Sequence, residues 1–189
     1  MSILHVVRHG ETDWNRERRF QGHRGPGLNA VGREQAADLA TRLAASLPPA
    51  TPVYTSDLTR ARETAAAIAA ALGSVARPRA DLRERGLGLL EGRTYAELAR
   101  THPEAVARYR SREDRDAIPQ SEPLARFERR VLDAARDIAL ACEEAVVVTH
   151  GGVLRVLLRA ALGPGKTFAL GNCSCYRLEV RGEAIARLP

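Results

Sequence analysis

VVRHG at residues 6–10 and VVVTHG at residues 146–151 are the two stretches that decide the fold. Each is a β-branched apolar run that stops at a His-Gly pair, the pattern of a buried strand delivering a histidine to a loop. Strands buried on both faces belong to parallel sheets covered by helices, and such sheets bind ligands beyond the carboxyl ends of their strands. His9 and His150, about 140 residues apart in sequence, are therefore expected on adjacent loops at one sheet edge, facing a common ligand. Gly10 and Gly151 are expected to let backbone amides approach a bound oxyanion.

Outward from these junctions the chain alternates. A strand is predicted at 3–7, then a helix capped by Asn29, with Ala36, Leu39, Ala40, Leu43, Ala44 and Leu47 at helical spacing and Pro48 and Pro49 as its stop. A second strand at 52–55 precedes a helix that Ser56 or Asp57 can cap, which carries Leu58, Ala61, Ala65, Ile68, Ala69 and Leu72 and closes at Gly73. Short helices are predicted at 95–100 and 104–110, a long one from about Glu122, a strand at 145–149 and a buried helix at 153–162. A loop at 163–165 then leads to a hairpin, 173–180 and 183–188, turned at Arg181 and Gly182. The expected fold is α/β: a three-layer sandwich whose mostly parallel central sheet is flanked by helices. It forms a single domain over 1–189, with a small helical cap insertion at roughly 94–121.

Length and composition agree. A chain of 189 residues, 44% hydrophobic and 28% charged, suffices for one core and excludes collagen-like, disordered and coiled-coil classes. No stretch approaches the roughly 20 apolar residues that span a bilayer, and His5, Arg8 and His9 interrupt any secretory signal, so a cytoplasmic protein is expected. Net charge is +6. Lys166 is the single lysine among 29 basic residues, so the remaining 28 are arginines, whose planar forks suit phosphate and carboxylate. They lie scattered beside Asp and Glu, and one Trp, four Tyr and three Phe offer little stacking surface, which disfavours a nucleic-acid binder. Cys142, Cys173 and Cys175 lack paired spacing, and the latter two are expected to pack on one face of a strand rather than serve redox chemistry.

Metal chemistry finds no support in the spacing. His5 and His9 on a strand stand about 13 Å apart, and no C-x-x-C or H-E-x-x-H accompanies them. GPGKT resembles the end of a phosphate loop, but Ala160 occupies its first glycine position and a helix precedes it. No metal and no cofactor is expected.

The stretch VVRHGETDWN at 6–15 resembles the signature of the histidine phosphatase superfamily, also called phosphoglycerate mutase-like. Gln21-Gly22, LNAVGREQA from Leu28, SDLTRARETA from Ser56, LRERGLGLLEG from Leu82, VVVTHGGVLR from Val146 and NCSCYRLE from Asn172 resemble further blocks in family order. The resemblance implies that His9 is a nucleophile forming phosphohistidine, that Arg8, Arg60 and His150 hold the phosphoryl oxygens, and that Glu84 donates a proton. Asn15 joins the phosphate pocket, with Gln21, Gly22 and Gly151 beside the substrate. Departures occur where the family often has D-x-P-L-T, here Gly25, Gly27 and Asn29, and where G-E-S becomes Gln120, Ser121 and Glu122. Glu91 is the rival acid, its other reading being a support for the loop around Gly88 and Gly92. Arg62 neighbours Arg60, and only the motif separates them.

The chemistry suits these residues. A neutral imidazole can attack a phosphomonoester dianion that repels anionic nucleophiles, and a carboxyl group can protonate the leaving oxygen and later activate water. The expected activity is metal-independent hydrolysis of a small phosphorylated metabolite. The phosphatase branch is favoured over a cofactor-dependent phosphoglycerate mutase, because only 65 residues separate Glu84 from His150 and mutases tend to carry a larger insertion there. A non-enzymatic phosphate or nucleic-acid binder is the third reading. Arg108, Arg110, Arg112 and Arg115 either await a second anionic group of the substrate or form a solvated face.

Overall fold

The computed structural model describes residues 1–111, 115–164, 166 and 168–188. Arg112, Gly165 of the predicted loop and Thr167 of the GPGKT stretch lie outside the described residues. Six strands form one sheet: β1 (Ser2–Arg8), β2 (Val53–Ser56), β3 (Ala76–Arg79), β4 (Glu144–Thr149), β5 (Cys175–Arg181) and β6 (Ala184–Arg187), in the order β3-β2-β4-β1-β5-β6. The pairs β3/β2, β2/β4 and β4/β1 are parallel, while β5 runs antiparallel to both β1 and β6. The expected mostly parallel sheet is thus observed, with an antiparallel return at one side.

Seven α-helices accompany it among the described residues: α1 (Asp13–Arg16), α2 (Ala30–Ala44), α3 (Thr59–Leu72), α4 (Tyr95–Thr101), α5 (Pro103–Ser111), α6 (Leu124–Ala141) and α7 (Gly151–Leu162). The strand pleat explains the two cores. Val146 and Val148 face α2 and α3 with Val7 and Val53, whereas Ala145 and Val147 face α6 and α7 with Leu4, Val6 and Leu178. Both faces of β4 are covered, so its middle, Ala145 to Val148, is continuously apolar. Leu154, Leu157 and Leu158 of α7 are buried, each contributing about 1.5–3 kcal/mol of transfer free energy. A third, smaller core of Leu90, Leu98, Ala105, Val106 and Ile118 lies under α4 and α5, the region read as a cap. No helix among the described residues is long and apolar enough to cross a membrane.

Three local expectations change. Ser56 and Asp57 do not cap α3 from their side chains: Leu58 is the N-cap and has no side-chain bond, because Ser56 ends β2 and Asp57 pairs with Arg83. The strand predicted from Cys173 begins at Cys175, since Cys173 sits at φ +53°, outside the extended region. Cys173 and Cys175 still pack against one core cluster. β3 has no counterpart in the sequence reading. Asn29 caps α2 through Gly32 N–H at 2.8 Å, and Gly73 closes α3 in the left-handed region, both as expected.

Candidate active site

Strand register builds the site. Val6 pairs with Val147 and Arg8 with Thr149, so the next residue on each strand is a histidine, and His9 N–H extends the ladder to the Thr149 carbonyl at 2.9 Å. The two rings stand 5.3 Å apart between centroids, tilted by 60°. Both residues are buried.

The loop leaving β1 is held by close backbone packing. A Cβ on Gly10 would lie 2.4 Å from the Gly32 carbonyl oxygen, and one on Gly32 would lie 2.0 Å from that of Glu11. Only paired glycines allow α2 to start this near. Gly10 N–H donates to Thr64 Oγ1 at 3.0 Å, so it is not the oxyanion donor expected from sequence. The Gly10 carbonyl instead accepts from His9 Nδ1 at 2.7 Å, which places the ring proton there and leaves Nε2 as the lone-pair nitrogen.

His150 is fixed from the neighbouring strand. Its Nε2 lies 2.8 Å from Ser56 Oγ, which also accepts Leu58 N–H at 3.3 Å. A Ser56 hydroxyl that donates to Nε2 places the imidazole proton on Nδ1, which has no hydrogen-bond partner among the described residues. Arg8 donates through Nη1 to the Leu170 carbonyl, and Arg60 donates to the Arg24 and Gly22 carbonyls at 3.1 and 2.7 Å. The Nε atoms of both arginines are also buried without a partner. These three unpartnered nitrogens belong to residues that line the cavity with His9 or pack directly against it, where cationic and donor groups are concentrated.

Electrostatics follow from burial. Desolvation, then the guanidiniums of Arg60 and Arg8, hold His9 well below the ordinary imidazole range, against the opposing Gly10 hydrogen bond. His150 is lowered by desolvation, Arg60, His9 and Arg8. Arg60 falls to about 10 through burial, which the Glu84 and Glu91 carboxylates partly offset, so it stays charged at neutral pH.

The two carboxylates are placed differently: Glu84 lines the cavity with His9, and Glu91 does not. Glu84 accepts Arg85 N–H at 2.8 Å and Gly152 N–H at 2.9 Å, the latter in the first turn of α7. A Cβ on Gly152 would stand 2.1 Å from Glu84 Oε1, so only glycine leaves room for that carboxylate. Arg130 of α6 gathers the carbonyls of Asp81, Arg83 and Glu84 at 2.8, 2.8 and 3.0 Å. Glu91 instead accepts N–H groups of Leu87 and His23 at 2.8 and 3.1 Å, tying two loops together.

One cavity of about 180 Å³ is lined by Arg8, His9, Asn15, Gln21, Gly22, Arg60, Glu84 and Gly151, and His150 packs against His9 behind it. All nine residues singled out from sequence are brought together. Arg62 is exposed on α3. Asn15 and Gln21 are oriented by Thr12, and Asn172, given no role from sequence, bridges the His9 carbonyl at 3.0 Å and Asn15 Oδ1 at 3.3 Å. Arg19, Phe20, Leu87 and Tyr109 also line the cavity and were not predicted, because no motif marks them.

Comparison with known proteins agrees with the geometry. The chain is 44% identical over 160 residues to phosphoglycerate mutase-like protein 4 of Arabidopsis thaliana, covering 82% of this chain and 69% of that protein. It is 40% identical over 184 residues to the metal-independent phosphoserine phosphatase of the same plant, covering 94% and 76%. A mycobacterial glucosyl-3-phosphoglycerate phosphatase, solved in complex with VO3, superposes with a TM-score of 0.84 at 29% identity, covering 100% of this chain and 97% of that one. The family model of the histidine phosphatase superfamily (branch 1) matches residues 4–187, and the chain belongs to that superfamily.

Proposed function

We propose that this protein is a metal-independent phosphatase that hydrolyses a small phosphomonoester through a phosphohistidine on His9. The observation that carries the reading is the convergence of Arg8, His9, Asn15, Arg60 and Glu84 on one cavity, with His150 packed 5.3 Å behind His9 and His9 Nδ1 engaged by the Gly10 carbonyl so that Nε2 keeps its lone pair. Low basicity of His9 keeps that lone pair available at neutral pH. In-line attack on phosphorus places the ester oxygen away from His9, where Glu84 protonates it. The same carboxylate then takes a proton from the water that cleaves phosphohistidine. Each guanidinium about 4 Å from the phosphoryl group contributes roughly 4 kcal/mol of attraction at an effective dielectric of about 20, before desolvation. Asn15, Gln21, Gly22 and Gly151 complete the walls.

The reading extends to one domain over 1–189 with a cap near 94–121, acting in the cytoplasm on a small phosphorylated substrate. It includes no cofactor, nucleic-acid or membrane partner. In EDTA the purified protein is expected to hydrolyse p-nitrophenyl phosphate, and His9→Ala to lower kcat by roughly 10⁴-fold or more. Sustained turnover by that variant rules out His9 as nucleophile. Isomerisation of 3-phosphoglycerate with 2,3-bisphosphoglycerate, outpacing phosphate release, would establish the mutase reading instead.

A further inference from the structure

We infer that the leaving group of the substrate is apolar, preferably aromatic, and carries no second anionic group. The inference rests on the phosphatase reading of the same cavity. Beyond the phosphoryl residues, the cavity wall is made by Phe20, Leu87 and Tyr109, all half-buried, with Phe20 and Tyr109 edge to face at 4.8 Å. Tyr109 is backed by the Arg115 guanidinium at 4.8 Å from its ring, and Arg115 also donates to the Tyr109 carbonyl at 3.2 Å.

Among the described residues, the cap arginines nearest this wall have partners of their own. Arg108 donates to the Ala117 carbonyl at 3.3 Å, and Arg110 lies over the Tyr95 ring at 5.2 Å. Arg19 is the one remaining basic residue in the lining. It meets Glu17 at 2.7 Å and Glu97 at 2.9 Å, and donates to the Gly92 carbonyl at 3.0 Å. A carboxylate or second phosphate competing for Arg19 would face those two glutamates, and one placed against Phe20, Leu87 and Tyr109 would be desolvated by side chains that offer it no counter-charge. A ring, by contrast, finds an edge and a face prepared for it.

The test compares kcat/KM for benzyl phosphate, phosphoserine and 3-phosphoglycerate, three alkyl esters, so that aryl leaving-group reactivity does not bias the ranking. Benzyl phosphate is expected to lead by tenfold or more, chiefly through KM. The double substitution Glu17→Gln with Glu97→Gln, which frees Arg19, is expected to narrow the gap several-fold. A lead for either anion-bearing ester, with turnover still dependent on His9, overturns this inference alone. An unaltered gap in the double variant also contradicts it. If no ester is turned over by folded protein, the phosphatase reading falls and this inference with it.

Discussion

The sheet edge and the cap meet at one cavity but are held in different ways. At the edge, adjacent strand register sets His9 beside His150, and His9, Arg60 and Glu84 are each fixed by hydrogen bonds to backbone groups. The cap rests on a small core of its own, and its arginines lie over rings and carbonyls along its outer side. In the proposed reading, chemistry that must not move is built on the large core, whereas selection of the leaving group falls to a peripheral cluster with a core of its own.

Substitutions can break this contrast. The largest effect is expected from Gly152→Ala, whose Cβ enters the space of the Glu84 carboxylate: kcat should fall by about 10²–10³-fold, approaching Glu84→Gln, with the thermal midpoint little changed. Unaltered kcat would show that Glu84 tolerates displacement. Next comes acidity. Both buried histidines have native values depressed below the unfolded value of about 6.5, so their stabilisation is complete above that pH and is lost as pH falls from there toward the native values. Each should cost the folding equilibrium up to about tenfold per pH unit in that window, read by urea unfolding. His150→Asn should flatten the slope, and an identical slope would place that ring in a less buried setting than described.

Ser56→Ala comes third. Losing the hydroxyl frees the His150 proton to move to Nε2, and about a tenfold drop in kcat/KM is expected, with the tautomer read by nitrogen NMR. Retention of the Nδ1–H tautomer would remove Ser56 from the description of the site. The smallest effect belongs to the cap: Arg115→Ala, which unbacks Tyr109, should raise KM by about two- to fivefold and leave kcat nearly unchanged. A larger loss in kcat than in affinity would erase the distinction between the two regions.

What the sequence reveals follows the same division. Register-bearing strands are continuous and β-branched, so β1, β2 and β4 and the histidine pair are legible from local pattern. β3 is not, because ARPR holds two arginines and a proline, and an edge strand tolerates residues that a central one would not. Ser56 reads as a helix cap from its neighbours, while its partner lies 94 positions away on β4's end. Gly152, Arg130 and Tyr109 are invisible for that reason as well: each acts through a contact made only once distant segments have folded together. Cys173 breaks the predicted strand because its positive φ serves the turn whose amide meets the Arg8 carbonyl.

Arg130 has a mechanical consequence. The His9 loop is anchored to the α2–α3 layer through Gly32 and Thr64, whereas the Glu84 turn is moulded around a cation on α6, across the sheet. Under the proposed mechanism, attacking nitrogen and proton source are thus referenced to opposite flanks of the molecule. Because each keeps a separate anchorage, that mechanism would make stiffness of the whole sandwich, more than of any loop, the governor of the reach of proton transfer.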